Sequence, residues 1–226
     1  MVSTRVFLEA IKGGETAKVK TMVEADPSLA KAKTPDGQSA IIYAAYYGRK
    51  EIAAYLARQR ADLDIFEAAV VGKTDQVLLQ LSKNPELVNG YASDGFTPLH
   101  FPAFFGYPEL AEALVEHGAD VNAVARNLMA VTPLHSAAAQ SNPEKRRALT
   151  RFLLEKGADV NARQSGGFTA LHSAAQSGDV ELARLLIERG ADVNLKSDDG
   201  KSPLDVALEK SRPDVADLLR QHGATG

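Results

Sequence analysis

The sequence predicts an all-α fold, a solenoid of about seven stacked helix-turn-helix units joined by short hairpin loops. The first observation is that the stretch DGFTPLHFPAFFGYPELAEALVEHGADVN, residues 94–122, has related copies before and after it. The second is that these copies follow at spacings of 33 to 37 residues, with one shorter step of 24, which is typical of stacked repeats. The third is an apolar residue that opens the first helix of each copy, found at Phe7, Ile41, Ile65, Leu99, Leu134, Leu171 and Leu204.

The stretch 94–122 contains the signals of two short helices. Thr97 can cap a helix whose first residue is Pro98, because its hydroxyl accepts a free backbone N–H and proline has none to satisfy. Gly106 ends this helix. Residues 109–117 carry a second apolar stripe at helical spacing, and Gly118 ends it. The stretch therefore predicts one helix-turn-helix unit.

Two short motifs in this stretch resemble the ankyrin repeat. They are Thr97-Pro98-Leu99-His100 at the first helix and Gly118-Ala119-Asp120-Val121-Asn122 after the second helix. The ankyrin family has a TPLH signature and a period of about 33 residues. The resemblance implies stacked helix pairs whose inward-facing positions contact a protein partner, and it covers nearly the whole chain.

We expect a single ankyrin repeat domain over residues 1–226. Its first unit is degenerate, with helices expected over residues 7–12 and 17–24, and resembles an N-terminal cap. The last unit has the polar residues 209–212, as a C-terminal cap requires, because its outer face has no neighbour. The expected units, numbered one to seven, are 1–33, 34–61, 62–91, 92–124, 125–161, 162–194 and 195–226.

Three units depart from the regular pattern. Between units two and three, residues 61–64 run directly into the helix that starts at Ile65, so one hairpin is missing and the region beside Ile65 is expected to be less covered. Unit five has an extended hairpin within residues 126–131 and a further insertion around residues 141–144. In unit four Pro102 stands where the family has alanine, and because proline lacks an N–H a distorted first turn is predicted.

Nothing in the sequence indicates an enzyme, a cofactor or a metal site. The chain has no cysteine, which removes disulfides, thiolate catalysis and cysteine metal ligands. It also lacks the common nucleotide-binding, zinc-protease and serine-hydrolase motifs.

Histidines occur at equivalent positions of successive repeats, but stacked helices lie roughly 8–10 Å apart, too far for these side chains to share one metal ion. In the ankyrin family this residue is structural, with its imidazole hydrogen-bonded near the TPLH turn; here it is His100, His135 and His172.

The charge of the chain favours neither nucleic acid nor membrane as a partner. The net charge is −3, so no bulk attraction to a polyanion or an anionic lipid surface is expected. The first fifteen residues contain charges before any signal-peptide core, and no later apolar run is long enough to span a membrane. A cytoplasmic monomer is the expectation.

The sharpest charge feature is a basic cluster, Lys145, Arg146, Arg147 and Arg151. We interpret it as a solvated helix face, with binding of an acidic partner as the alternative.

The expected function is non-covalent recognition of a protein partner on the concave face. In ankyrin repeats, the two residues before the glycine that ends the first helix resemble the variable positions that contact partners. These pairs are apolar or aromatic in units two to four and polar in the last two units. A row of exposed apolar residues forms a patch, and large patches mark interaction sites. The expected partner-binding residues are Tyr46, Tyr47, Val70, Val71, Phe104 and Phe105, with Phe96 as a secondary choice.

Several alternatives stay open. The same side chains could pack on one another, or line a closed aromatic pocket for a small molecule or peptide near the missing hairpin between units two and three. The ankyrin resemblance also implies a substrate of hydroxylation, since family members can be modified at the asparagine matching Asn122, Asn161 and Asn194. A purely structural or self-associating role is the last alternative. No motif indicates which partner is bound.

Overall fold

The computed structural model describes residues 3–225 and shows an all-helical chain, as the sequence predicts. Within these residues there is no β-strand, only an isolated bridge between Lys33 and Ser39. The α-helices are joined by loops and by 3₁₀-helices over Pro27–Lys31 and Pro85–Asn89. They are α1 (Thr4–Gly13), α2 (Thr16–Ala25), α3 (Ala40–Tyr46), α4 (Lys50–Arg58), α5 (Ile65–Val70), α6 (Thr74–Lys83), α7 (His100–Phe105), α8 (Pro108–Glu116), α9 (Pro133–Ala138), α10 (Pro143–Glu155), α11 (Ala170–Ser177), α12 (Val180–Glu188), α13 (Pro203–Glu209) and α14 (Pro213–Gln221).

The helices pack in two layers. Each odd-numbered helix contacts the even-numbered helix that follows it, and the odd-numbered helices contact one another in order from α1 to α13. A continuous core fills the space between the layers. The aligned residues that open the first helices all lie in it, from Phe7 at 0% exposed to Leu204 at 2%. The alignment is therefore correct for the core, while the bounds and the number of units stay predictions.

Helix α7 begins irregularly. The equivalent helices α9 and α11 start directly after a threonine, whereas α7 starts at His100, beyond a turn over residues 98–99. In that turn the His100 N–H donates to the Thr97 carbonyl at 3.1 Å. The helix start expected at Pro98 is thus wrong, and the distorted first turn is confirmed. The cause is Pro102, which has no N–H to donate to the carbonyl four residues before it.

The junction between α4 and α5 lacks a hairpin, as expected, since only residues 59–64 join the two helices. A charge network occupies this junction. Arg60 Nη1 lies 2.5 Å from Glu67 Oε1, and the two side chains are 11% and 3% exposed. Arg60 also donates to Asp62, which pairs with Lys31 at 2.7 Å. Hydrogen bonds from Lys31 and Arg60 lower the pKa of Asp62 to about 2.

A row of asparagines joins successive helix pairs on the side of the second helices. The Asn122 side-chain oxygen accepts the Asp159 N–H at 2.8 Å, and its amide nitrogen donates to the Gly157 carbonyl at 3.0 Å. The GADVN motif therefore supplies bonds between repeats, and the asparagines named above as modification sites form these bonds through their side-chain amides. The same pair of bonds recurs at Asn89, Asn161 and Asn194.

Candidate functional site

In α7, α9 and α11, one histidine each fixes the first helix to the hairpin that follows it. His100 Nδ1 accepts the Thr97 backbone N–H at 3.2 Å and lies 2.8 Å from Thr97 Oγ1. Because a backbone N–H can only donate, Nδ1 carries no proton, and Nε2 donates to the Val131 carbonyl at 3.0 Å. The structural role predicted for this histidine is confirmed. The same geometry recurs at His135 and His172.

Burial keeps these imidazoles neutral. It lowers the pKa of His100 to about 4, although the hydrogen bond to the Val131 carbonyl acts in the opposite direction. Burial likewise lowers the pKa of His135 and of His172. At pH 7 each ring is therefore a neutral bridge, which holds the hairpins at a fixed distance from the first helices.

Neither a metal-binding group of side chains nor a helix that could cross a membrane occurs in residues 3–225. That part of the chain contains no group of three or more histidine, cysteine or acidic side chains placed to hold a metal ion. Its helices are also too short or too polar for any of them to cross a membrane.

Contacts between non-adjacent elements close the gap left by the missing hairpin. Asp94, in the hairpin before α7, accepts a hydrogen bond from the Tyr46 hydroxyl of α3 at 2.7 Å. Gln38, in the hairpin before α3, places Nε2 at 3.5 Å from the same carboxylate oxygen. Burial and the neighbouring Asp94 carboxylate raise the pKa of the Tyr46 hydroxyl, so it stays a donor. Ile65 is only 1% exposed, so the lack of cover expected beside it is not observed.

Tyr46 also belongs to a cluster of aromatic rings that joins α3 to α7. Its ring stacks on Phe105 with centroids 6.1 Å apart and planes at 26°. Phe105 meets Phe104 edge to face at 5.1 Å and 88°. Phe96, in the hairpin before α7, lies edge to face with Phe101 at 6.1 Å. Such pairs stabilise a fold by about 0.5–1.5 kcal/mol beyond the area they bury.

Part of the expected partner-binding row is accessible to solvent. Tyr46, Tyr47 and Phe104 expose 38%, 42% and 43% of their surface. Val71 and Phe96 are half-buried. These five side chains can be reached by a ligand, at least in part.

The remaining two residues of the row are buried. Val70 is 2% exposed and Phe105 is 8% exposed, so the expectation of an unbroken accessible row is wrong at these positions. Phe105 packs between the rings of Tyr46 and Phe104. Val70 lies in α5, which α3 and α7 contact. Phe105 therefore supports the accessible rings, while Val70 belongs to the core.

An open apolar groove of about 690 Å³ runs beside the ring cluster, and we name it the aromatic groove. The exposed rings of Tyr46 and Phe104 border it on the side of α3 and α7. The tip of the hairpin before α9 contributes apolar side chains, and small residues come from the end of α9 and from α11. Its lining includes Tyr46, Asp94, Phe96, Phe104, Phe105, Asn127, Leu128, Met129, Ser136, Ala139 and Ser173.

The contribution of the hairpin tip was not predicted from the sequence. Leu128 is 96% exposed and Met129 is 52% exposed, and both lie in the extended hairpin of unit five. Ala130 turns the chain there with a left-handed φ of 47°, and the Met129 carbonyl accepts the Ser165 N–H at 2.9 Å. The available signal was the pair of apolar residues in a hairpin extension, where polar turn residues are usual. Asp94 was missed because an Asp-Gly turn gives no sign of a groove.

The groove does not lie where the alternative pocket was expected. That pocket was placed near the missing hairpin between units two and three. The groove lies mainly on α7, α9 and the hairpin between α8 and α9, and Tyr46 alone connects it to unit two. Its open form and its position both differ from those of a closed pocket at that junction.

The basic cluster links neighbouring helix pairs. Arg146 lies 3.0 Å from Asp179, and the two side chains are 12% and 9% exposed. Arg147 reaches the other oxygen of Asp179 at 3.4 Å, and Lys145 donates to the backbone carbonyl that follows α7 at 2.8 Å. The interpretation as a solvated face is therefore wrong for Arg146 and Arg147, because the insertion before α10 brings them to the residue that caps α12. Arg151 is exposed.

Comparison with known protein families agrees with this architecture. A family profile described as Ankyrin repeats (3 copies) matches residues 65–164 and 138–225. A second profile, described as Ankyrin repeat, matches residues 36–67. Together they include both the junction without a hairpin and the aromatic groove.

Curated proteins are similar to parts of the chain. Ankyrin repeat and SOCS box protein 6 of Homo sapiens is 42% identical over 88 residues, which is 38% of this chain and 20% of that protein. BCL-6 corepressor-like protein 1 of Homo sapiens is 35% identical over 108 residues, 48% of this chain and 6% of that protein. Alpha-latrotoxin-Lg1a of Latrodectus geometricus is 32% identical over 118 residues, 51% of this chain and 8% of that protein. The chain thus matches only a fifth or less of the length of these relatives.

Proposed function

The chain belongs to the ankyrin repeat family, and on that premise we propose that it is a non-enzymatic module that binds a protein partner in the aromatic groove. Ankyrin repeats are generally protein–protein interaction modules. The observation that carries the proposal is the groove, where Phe104, Leu128 and Met129 expose 43%, 96% and 52% of their surface side by side with other apolar side chains. Neighbouring exposed apolar residues favour an interaction site, whereas single ones do not.

The rigidity of the ring cluster supports the proposal. The Tyr46 hydroxyl is held by Asp94, and the Phe104 ring is held by Phe105. Side chains that are ordered before binding lose less conformational entropy in the complex. Aromatic anchors of this kind contribute most of the energy at many interfaces. We assign Tyr47 and Val71 a peripheral part, since neither lines the groove.

The proposal is tested by capture from an extract of the source cells on immobilised protein. Phe104→Ala is expected to lower the recovery of the partner at least about tenfold, because the variant removes a central aromatic anchor. The matched control is Leu79→Ala, since Leu79 is 55% exposed in α6 and does not line the groove.

Both variants are expected to melt within a few degrees of the wild type, as surface truncations do. Recovery that is equal for the wild type, Phe104→Ala and Leu128→Ala would contradict the proposal. A large fall in the melting temperature of Phe104→Ala would instead assign Phe104 to the core.

A small-molecule or peptide ligand is the second candidate, and the size of the groove favours it. Pockets for such ligands usually enclose about 300–1,000 Å³ and are mostly apolar, and this groove encloses about 690 Å³. A thermal-shift screen with apolar small molecules tests this function. Ligands that raise the melting temperature of Leu79→Ala but not of Phe104→Ala would support it.

We further propose a cytoplasmic monomer. The net charge of −3 gives no bulk attraction to an anionic membrane surface, which fits this proposal. Light scattering at two protein concentrations tests the oligomeric state, and a molar mass that rises with concentration would indicate self-association through the groove.

A further inference from the structure

We propose that the aromatic groove takes an extended segment of the partner that carries a lysine or arginine beside apolar side chains, and that the Asp94 carboxylate pairs with this cation. The inference rests on the proposed function, because it specifies the chemistry that the same groove selects.

Asp94 is held in position at the groove. Its Oδ2 accepts the Tyr46 hydroxyl at 2.7 Å, and its Oδ1 accepts the Phe96 N–H at 3.4 Å. Within residues 3–225 it forms no ion pair with a lysine or an arginine. It is also the only lysine, arginine or acidic residue of that part of the chain that lines the groove. Since its surroundings are apolar, its attraction for a cation is stronger than in open water.

Aspartates in another hairpin have cationic neighbours. Asp198 pairs with Arg163 at 2.8 Å, and Asp199 lies 3.9 Å from Lys201 Nζ. The carboxylate of Asp94 instead accepts only neutral donors, which are a hydroxyl, a side-chain amide and a backbone N–H. Neutral donors orient a carboxylate without cancelling its charge. A cation from a ligand would complement this charge.

The exposed rings favour the same ligand chemistry. Tyr46 and Phe104 border the groove together with Asp94. The faces of aromatic rings attract cations, and the guanidinium of arginine stacks on them. The protein already contains such a contact, since the guanidinium carbon of Arg126 lies 3.9 Å from the centre of the Tyr91 ring. An acidic ligand would meet the like charge of Asp94 and is disfavoured.

The extent of the groove favours a linear segment over a single side chain. Its lining runs from Tyr46 in α3 to Ser173 in α11 and so crosses several helix pairs. Asp94 lies in the hairpin before α7, while Leu128 and Met129 lie in the hairpin before α9. A segment with a basic residue at one position and apolar residues further along would meet both groups at once.

The test is selection from a phage-displayed library of random short peptides on the immobilised full chain. The proteins compared are the wild type, Asp94→Asn, Phe104→Ala and the control Asp199→Asn, in which another hairpin aspartate loses its charge outside the groove. The Asp94→Asn side chain keeps an oxygen for the Tyr46 hydroxyl, so the local hydrogen bond is retained. A melting curve of each variant verifies that it is folded.

The expected result is that the wild type and Asp199→Asn select peptides with a lysine or arginine near apolar residues. The affinity of a selected peptide should fall about tenfold in Asp94→Asn, the size expected for a charge-assisted hydrogen bond. Replacing the basic residue of that peptide by methionine should weaken binding to the wild type more than binding to Asp94→Asn, and this difference measures the pair in a double-mutant cycle.

Two contrary results have different meanings. Peptides that need Phe104 but contain no basic residue, or whose basic residue is equally important for Asp94→Asn, overturn this inference and leave the proposed function intact. Peptides that bind Phe104→Ala as well as the wild type overturn the proposed function, and this inference with it.

Discussion

Helices α11 and α7 occupy equivalent places in the solenoid, yet only α7 brings large apolar side chains to the surface of the groove. α11 begins directly after its threonine and presents the exposed polar residues Gln176 and Ser177 before its closing glycine. α7 begins late because of Pro102 and has at the same positions Phe104, which is exposed, and Phe105, which is buried and supports it. The histidine bridge, with its bonds to the threonine and to the next hairpin, is the same in both. The shared residues therefore build the repeat, and the departures from them build the groove.

The same contrast holds at the junctions between helix pairs. The junction from α10 to α11 has a hairpin and the His135 bridge. The junction from α4 to α5 has neither, and the ion pair of Arg60 and Glu67 lies there in their place. At the short junction, an ion pair between residues seven apart in the chain replaces the hairpin and its histidine bridge, and this replacement buries two charges.

Loss of the ion pair at the short junction is the largest expected effect. Arg60→Ala should lower the free energy of unfolding by about 3 kcal/mol, because it leaves Glu67 buried without its partner. Urea denaturation followed by circular dichroism measures the change. The matched control is Arg163→Ala, which removes an exposed ion pair between regular hairpins and should cost less than about 1 kcal/mol. Equal losses for the two variants would show that the short junction does not depend on its charges.

Acid should weaken the regular part of the solenoid, the next effect in size. The pKa of His100 is about 4 in the folded chain and about 6.5 when unfolded. Below pH 6.5 the unfolded chain therefore binds protons that the folded chain does not bind, so stability falls as the pH falls from 6.5 to 4. With about 1.4 kcal/mol for each pKa unit, His100 alone contributes up to about 3 kcal/mol to this loss at pH 4 and about 2 kcal/mol at pH 5.

Denaturation curves at pH 7 and pH 5 measure this loss, and hydrogen exchange locates it. We expect protection to fall first around the turns at His100, His135 and His172, and least at α3 and α5, which have no such histidine. His100→Gln should reduce the pH dependence. The control His117→Gln, at an exposed histidine outside these turns, should leave it unchanged. Equal loss of protection along the whole chain would contradict the assignment.

Motifs within one repeat predicted most of the fold. The buried positions of the first helices, the structural histidines and the missing hairpin all follow from residues close together in the chain. The Thr97 cap predicts a helix start at Pro98, but Pro102, four residues after Pro98, has no N–H to close that first turn. Here two local rules conflict, and the absent hydrogen bond outweighs the cap.

The groove was less predictable because it depends on contacts across the chain. Tyr46 and Asp94 meet only because the hairpin between them is missing, and that contact brings the Tyr46 ring over Phe105. Neither the burial of Phe105 nor the position of Asp94 can be obtained from periodicity, which indicates the face of a helix but not what covers it. Leu128 was missed for a related reason, since a hairpin insertion has no template in the repeat.

The smallest of the three expected effects concerns the late start of α7. Pro102→Ala should let the helix begin at Pro98, as α9 begins at Pro133, because the alanine N–H can donate to the Pro98 carbonyl. The unfolded chain becomes more flexible when a proline is removed, and this offsets part of the stabilisation from the restored hydrogen bond. We therefore expect a net rise in the free energy of unfolding of about 1 kcal/mol.

Pro213→Ala is the control, because proline at the first position of α14 has no hydrogen bond to restore. Hydrogen exchange should show that the new amide at position 102 of Pro102→Ala is protected, whereas the new amide at position 213 of Pro213→Ala, in the first turn of α14, exchanges freely. A destabilised Pro102→Ala without that protection would mean that the bent start of α7 is set by the packing of Phe96 and Phe101, and that proline follows this geometry without causing it.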